Sequence, residues 1–336
     1  MNNNNNNNKL LVGLAFLSIY IVWGTTFLAI AYGLRGFPPF LLSGFRFAGA
    51  GLLLMTWLWW KGERPFSLLA WKRNAVSGLL ILTVGVGSVT WAEQYISSTE
   101  AAIIIASEPF WFILLDKKNR AHYKENKLAV AGLIAGFLGL VLFFKSSLSG
   151  DGGHGTGHAE MRILSFGILI CSALVWVLGS LNSKKTTGAS LFMNVAQQLL
   201  SGGAAALVIA SVRGEWQVIQ WGSIPMESWL GLAYLIVFGS VIAYMAFIWL
   251  LSVKPPALVS THTFVNPVVA VAAGIFVAGE QISTLQTIAL TVIISGVILT
   301  NMVQYKLSKR AKVKIRKTTK TLWKAGQPYR PLAELQ

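Results

Sequence analysis

Arg46, Glu108, His262 and Asn266 stand inside otherwise apolar sequence, and their side chains could bind or move charge. An ionisable group in hydrocarbon costs about 2.5–3.5 kcal/mol on insertion scales, so each needs a reason to be there. Arg46 offers a planar fork suited to a carboxylate, and Glu108 can take a proton or an amine. His262 lies four residues before Asn266, on the same helical face, and an imidazole titrates near neutral pH. Glu108 and His262 are therefore the candidate proton-coupling pair. The plainer reading is a fixed Arg46–Glu108 contact tying helices together, with a neutral His262 bonded to a carbonyl. Trp23, Trp91 and Tyr244 sit near glycines, placed either to stack on an apolar or aromatic ligand or to fill the core. Pro109 and Pro267 each remove a backbone donor. A helix break at either is tolerable in lipid only where protein or a water-filled cavity lines it, which points at the central pathway; the alternative is a simple kink at each.

No catalytic residue is assigned. The chain has no His-Glu-x-x-His or Gly-x-Ser-x-Gly pattern, and no cofactor is implied. Its single cysteine, Cys171, excludes an intrachain disulfide and a cysteine-based zinc site. The loop from Asp151 to Glu160 holds potential ligands but is glycine-rich, which reads as a linker and not a metal site.

The elements that must position these residues follow from composition. The 336 residues are 54% apolar and only 12% charged, about half the charge of a soluble domain. Ten nearly uncharged stretches fall at residues 10–34, 37–60, 74–92, 97–115, 128–144, 163–183, 188–212, 228–253, 255–279 and 281–305. A helix needs roughly 20 apolar residues to cross a bilayer, so each is a candidate span. The first reads as a retained span, not a cleaved leader. The net charge of +16 follows the same pattern. With both termini on one side, that side collects twenty-three of the twenty-eight Lys and Arg, against four opposite and Arg46 within a span. Such asymmetry places both termini of a multi-pass membrane protein in the cytoplasm. Trp57, Trp59, Trp60 and Trp71 then form an interfacial belt on the cytoplasmic side. Gly132, Gly136 and Gly139 form a small-residue face for packing within the chain or, alternatively, for a dimer; the expected state is monomer or homodimer.

The two halves repeat. Trp23 lies 153 residues before Trp176; Arg46 within residues 43–51 aligns with Gln198 within 195–203 at an offset of 152. Gly87-Ser88-Val89 returns as Gly239-Ser240-Val241, and Glu108-Pro109 as Asn266-Pro267. Five spans per copy is odd, so the second copy enters from the opposite side. The expected fold is all-α and integral to the membrane, with ten transmembrane helices as two inverted five-helix repeats. Its parts are a low-complexity N-terminus at 1–9, repeats at 10–145 and 162–305, a glycine-rich external loop at 146–161 and a basic cytoplasmic tail at 306–336. Inverted repeats put a binding site near midplane and let access alternate. At 1.5 Å per residue Arg46 lies about 12 Å deep, Glu108 about 16 Å and Asn266 about 15 Å from the opposite side, so the three meet at similar depth.

Residues 20–26 around Trp23-Gly24, Pro38-Pro39 with Arg46, residues 91–95, Glu108-Pro109, and Pro256 through Asn266-Pro267 to Gly279-Glu280 together resemble the EamA-type permeases of the drug/metabolite transporter superfamily. The likeness runs from residue 10 to about 305. It departs after the fourth stretch, where Asp116-Lys117-Lys118-Asn119-Arg120 replaces the Gly-Glu expected by analogy with Gly279-Glu280. The resemblance implies a ten-helix inner-membrane carrier, often an exporter of amino acids or other small metabolites. The expected activity is alternating-access secondary transport, proton-coupled, with Trp23, Arg46, Trp91, Glu108, Tyr244, His262 and Asn266 binding substrate. The alternatives are an integral-membrane lipid-handling protein or enzyme, or a passive channel. The tail from Lys306 to Arg330 is read as a contact for anionic lipid, and nucleic acid is not an expected partner.

Overall fold

Proline within the first turn and serine just before it start several of the helices, and apolar faces hold them together. The computed structural model describes residues 2–63, 67–115, 127–148, 159–183, 189–254, 259–279, 281–296 and 298–299, and every regular element among them is helical. α1 (Asn2–Gly33) turns through Pro38 into α2 (Pro39–Trp60). α3 (Leu68–Gly78) begins at Ser67, whose hydroxyl accepts from the Ala70 N–H at 3.3 Å. It runs on as a π-helix, π1 (Leu79–Val86), and then α4 (Gly87–Ala92). α5 (Ser98–Ile105) starts in a reciprocal capping box between Ser97 and Glu100. After it come α6 (Glu108–Leu115), α7 (Lys127–Leu148), α8 (Ala159–Ser183), α9 (Leu191–Val212) and the short α10 (Glu215–Val218). The last elements are α11 (Met226–Tyr234), a second π-helix π2 (Leu235–Ala243), α12 (Tyr244–Val253), α13 (His262–Ala278) and α14 (Thr284–Gly296).

Six helical runs are long and apolar enough to cross a membrane: Leu10–Gly33, Pro39–Trp60, Leu68–Ala92, Glu160–Ser183, Leu191–Val212 and Met226–Val253. Shorter apolar helices, Val130–Phe143, Val265–Ala278 and Thr284–Gly296, occupy three of the other expected stretches. The remaining one, 97–115, is split into α5 and α6 by a turn at Ala106–Ser107. Pro109 at the second position of α6 has no N–H to continue the α5 ladder, so the chain restarts there. Pro267, the other candidate for a break or a kink, lies inside α13. The carbonyl it displaces, four residues back at Thr263, is already in the first turn of α13, so the irregularity merges with the turn at Ser260–Thr261. The asparagine tract, set apart as low complexity, continues into α1 from Asn2.

The halves pack on each other through α2 against α9, α1 against α13, and α8 against π1. Close approach explains the glycines there. A Cβ at Gly203 would stand 2.4 Å from the Ala48 backbone nitrogen, and one at Gly78 2.3 Å from the Gln198 carbonyl oxygen. The small-residue face of α7 serves the chain itself: Gly136 packs on Phe110, and Gly296 sits on the backbone of Gly132 and Gly136. Large apolar side chains such as Leu14, Leu52, Leu53, Val208 and Leu230 point outward, as the lipid-facing side of a span requires. Trp59 and Trp60 are exposed at one end of α2, and Trp216 and Trp221 are exposed beyond α9. The Asp151–His158 part of the glycine-rich loop, Asp116–Arg120, Pro256, Glu280 and the tail from Lys306 lie outside the described residues.

Candidate functional site

The two π-helices mark the centre of the molecule. A π turn is wider than an α turn and leaves carbonyls poorly engaged, which other side chains can take. Trp23 Nε1 on α1 donates to the Gly239 carbonyl of π2 at 3.2 Å, and the Ser172 hydroxyl on α8 donates to the Gly85 carbonyl of π1 at 2.7 Å. The glycines also make room. A Cβ at Gly239 would meet the Arg46 guanidinium at 3.1 Å, and one at Gly85 would meet the Trp176 ring at 3.2 Å.

Between these segments lies a narrow cavity of about 80 Å³. Its polar lining comes from Arg46, Glu108, His262 and Asn266 with the hydroxyls of Thr26, Ser172, Ser240 and Thr263, its rings include Trp23, Trp176, Tyr244 and Phe27, and most of the remaining wall is apolar. Both halves of the chain contribute. Of the seven side chains singled out in the sequence for substrate, six line this cavity. The seventh, Trp91, is buried beside it against Tyr95, 5.1 Å between ring centres, and does not line it.

Arg46 is held from two sides. Its Nε donates to the Ser240 hydroxyl at 2.9 Å, and its guanidinium lies 4.9 Å from the Phe47 ring centre. The acidic group whose field reaches it is Glu93. Arg46 and Glu108 do not pair with each other; Glu100 instead pairs with Arg162, and Glu215 with Arg213. Arg46 Nη1, Glu108 Oε2, Trp176 Nε1 and His262 Nδ1 are all buried, and among the described residues they have no hydrogen-bond partner. His262 is clamped between Trp23, 5.0 Å between ring centres, and Phe247, 5.6 Å and nearly parallel. Asn266, in the amide orientation its surroundings satisfy, donates to the Ile19, Tyr20 and His262 carbonyls at 3.1, 3.0 and 3.0 Å.

Sequence reasoning missed three features. The first is an amide network beneath the cavity. Asn74 Nδ2 donates to Asn194 and Gln197 at 2.8 Å each, Gln198 donates back to Asn74 at 3.2 Å, and the Tyr244 hydroxyl donates to Gln198. These residues carry no charge, so a search for ionisable groups passes over them. The second is the buried Glu100–Arg162 pair at 2.8 Å, which joins α5 to α8. The third is Glu215. It accepts from the Phe40 and Leu41 N–H groups at 2.9 and 2.8 Å, supplying the cap that Pro38 cannot give α2. Burial raises its carboxyl above the ordinary value, opposed by those two N–H bonds and by Arg213.

The comparisons agree with this architecture. The EamA-like transporter family profile matches residues 10–145 and again 163–302. The chain is 31% identical to the uncharacterized inner membrane transporter YedA of Escherichia coli K12, over 87% of this chain and 90% of that one. It is 27% identical to the uncharacterized transporter YvbV of Bacillus subtilis, over 86% and 90% of the two chains. A solved crystal structure, 18% identical, superposes with a TM-score of 0.62 over 88% of this chain and 98% of its own, and shares the fold. With two family matches in tandem and a central cavity lined from both, the chain belongs to the EamA-like transporter family.

Proposed function

We propose that this transporter carries a small zwitterionic or carboxylated metabolite, such as an amino acid, across the bacterial inner membrane by alternating access. The observation that carries this reading is the central cavity, in which the buried Arg46 Nη1, Glu108 Oε2 and His262 Nδ1 lack partners within a largely apolar wall. Unpaired buried polar groups are costly, and a ligand bringing a carboxylate and an amine would satisfy both Arg46 and Glu108. Trp23, Tyr244 and Asn266 complete the lining, while Glu108 and His262 are the groups able to exchange a proton with the cavity. The two copies are read as inverted, each five spans long with both termini cytoplasmic, so that rocking one against the other opens the cavity to either side. Export is the proposed direction, driven by the substrate gradient or by proton exchange.

In proteoliposomes loaded with an amino acid mixture, the wild-type protein is expected to show saturable exchange that accelerates with a pH gradient. Glu108→Gln is expected to abolish that acceleration. Unchanged transport and pH response in this variant would remove Glu108 from coupling, and flux that does not saturate would indicate a pore.

A further inference from the structure

The duplication pairs residues across the cavity, and the paired residues differ in what their polar atoms do. Trp23 and Trp176 correspond by their offset in the two copies, and their rings meet edge to face at 5.6 Å. Trp23 gives its indole N–H to the Gly239 carbonyl, whereas Trp176 Nε1 is buried without a partner. Arg46 corresponds to Gln198. Gln198 is bonded on both sides, to Asn74 and Tyr244, whereas Arg46 keeps Nη1 open. Glu108 corresponds to Asn266, whose amide nitrogen is set on three carbonyls, whereas Glu108 Oε2 is open. His262, by the spacing that matches Glu108 to Asn266, stands where the first copy has Ile104, and its Nδ1 is open too. In each polar pair the named polar group of one member is taken up by the protein, while the other member keeps one polar atom open to the cavity. All four open groups line the cavity, each at least nine-tenths buried.

The geometry points to a site in which Arg46 and Glu108 of the first copy and Trp176 and His262 of the second hold the ligand, while Trp23, Gln198 and Asn266 are their structural counterparts. This rests on the transporter reading above and deepens it. An indole N–H and a guanidinium only donate, and an ionised carboxylate only accepts. The ligand therefore presents acceptor oxygen to Arg46 and Trp176, and an N–H donor to Glu108. The rest of the wall is mainly ring faces and aliphatic side chains, including Phe27, Ile30, Leu82 and Val89, and the hydroxyls of Thr26, Ser172, Ser240 and Thr263 are already bonded within the protein, so a second charge would find no charged partner. The substrate class is thus an amino monocarboxylate with an uncharged, apolar side chain, gripped by both copies at once.

Two variants of the full-length protein separate the roles. Trp23→Phe and Trp176→Phe both shrink an indole to a benzyl ring that can keep the contact with Phe247, but only Trp23→Phe also breaks the bond to the Gly239 carbonyl. In detergent, Trp23→Phe is expected to melt roughly 2–4 °C below Trp176→Phe, as loss of one buried hydrogen bond would give. In proteoliposomes, Trp176→Phe is expected to raise KM for radiolabelled phenylalanine and leucine about tenfold, the effect of about 1.4 kcal/mol. Unlabelled lysine and aspartate should compete poorly. Equal melting temperatures in the two variants, or a wild-type KM in Trp176→Phe, would overturn the assignment. If no amino acid is transported by the wild-type protein, the amino acid reading falls, and the melting difference alone upholds or overturns the division of roles.

Discussion

Arg46 is the side chain on which the cavity chemistry depends, and its orientation comes from one hydroxyl. Ser240 accepts from Nε, which leaves the far nitrogen free to face a ligand. Ser240→Ala is expected to cost about 1–3 kcal/mol, because a buried charged donor is left unsatisfied. Thermal unfolding of the purified variant measures this, and a melting temperature equal to wild type would show that Arg46 finds another acceptor. The ionisable residues were legible in the sequence because a charge stands out against hydrocarbon. Their partners were not. Arg46 and Glu108 match in depth, yet depth fixes a level and not an azimuth, and the two do not meet in a pair. Asn74, Gln197 and Gln198 are invisible to any argument built on charge, although they form the largest polar network described inside the bundle. Trp176 entered only as the repeat of Trp23, and nothing in the sequence says which of the two indoles is engaged.

Helices were legible as apolar stretches, but their interruptions were read only where proline marked them. Pro109 does accompany a restart of the chain, while Pro267 does not. The π segments left no trace, because sequence apolar all round has no period for an extra residue to shift. The start of α2 shows a further limit: its cap comes from Glu215, 175 residues away from Phe40. Burial raises that carboxyl, so its contribution to stability is fullest below the ordinary value near 4.5 and declines as pH rises through the raised value. Glu215→Gln keeps an acceptor oxygen without the charge and should lack this decline. Melting temperatures from pH 4.5 to 8 are expected to show the variant gaining on wild type as pH rises, and a constant difference would contradict it.

For the whole molecule, the duplication and the family were legible from motif order, and the tandem family matches bear them out. Contact between the halves was not legible, since it depends on which glycines face each other. Gly78 abuts the Gln198 carbonyl, a backbone group that cannot swing aside. Gly78→Ala is expected to push α3 from α9 and cost about 1–3 kcal/mol, the usual range for overpacking. Gly13→Ala, with open space around it, is the control and should melt with wild type. Size-exclusion profiles and melting curves compare the two, and equal behaviour would show the interface to be more yielding than its geometry.

The crossed bonds at Gly85 and Gly239 bear on how such a chain can be taken apart. Each half has one helix with a loosened backbone, and the side chain that splints it is lent by the other half. Neither half can finish its own middle helix alone. Severed at the connecting loop, the fragments would be obliged to find each other, or the matching fragment of another molecule, before either had a stable interior.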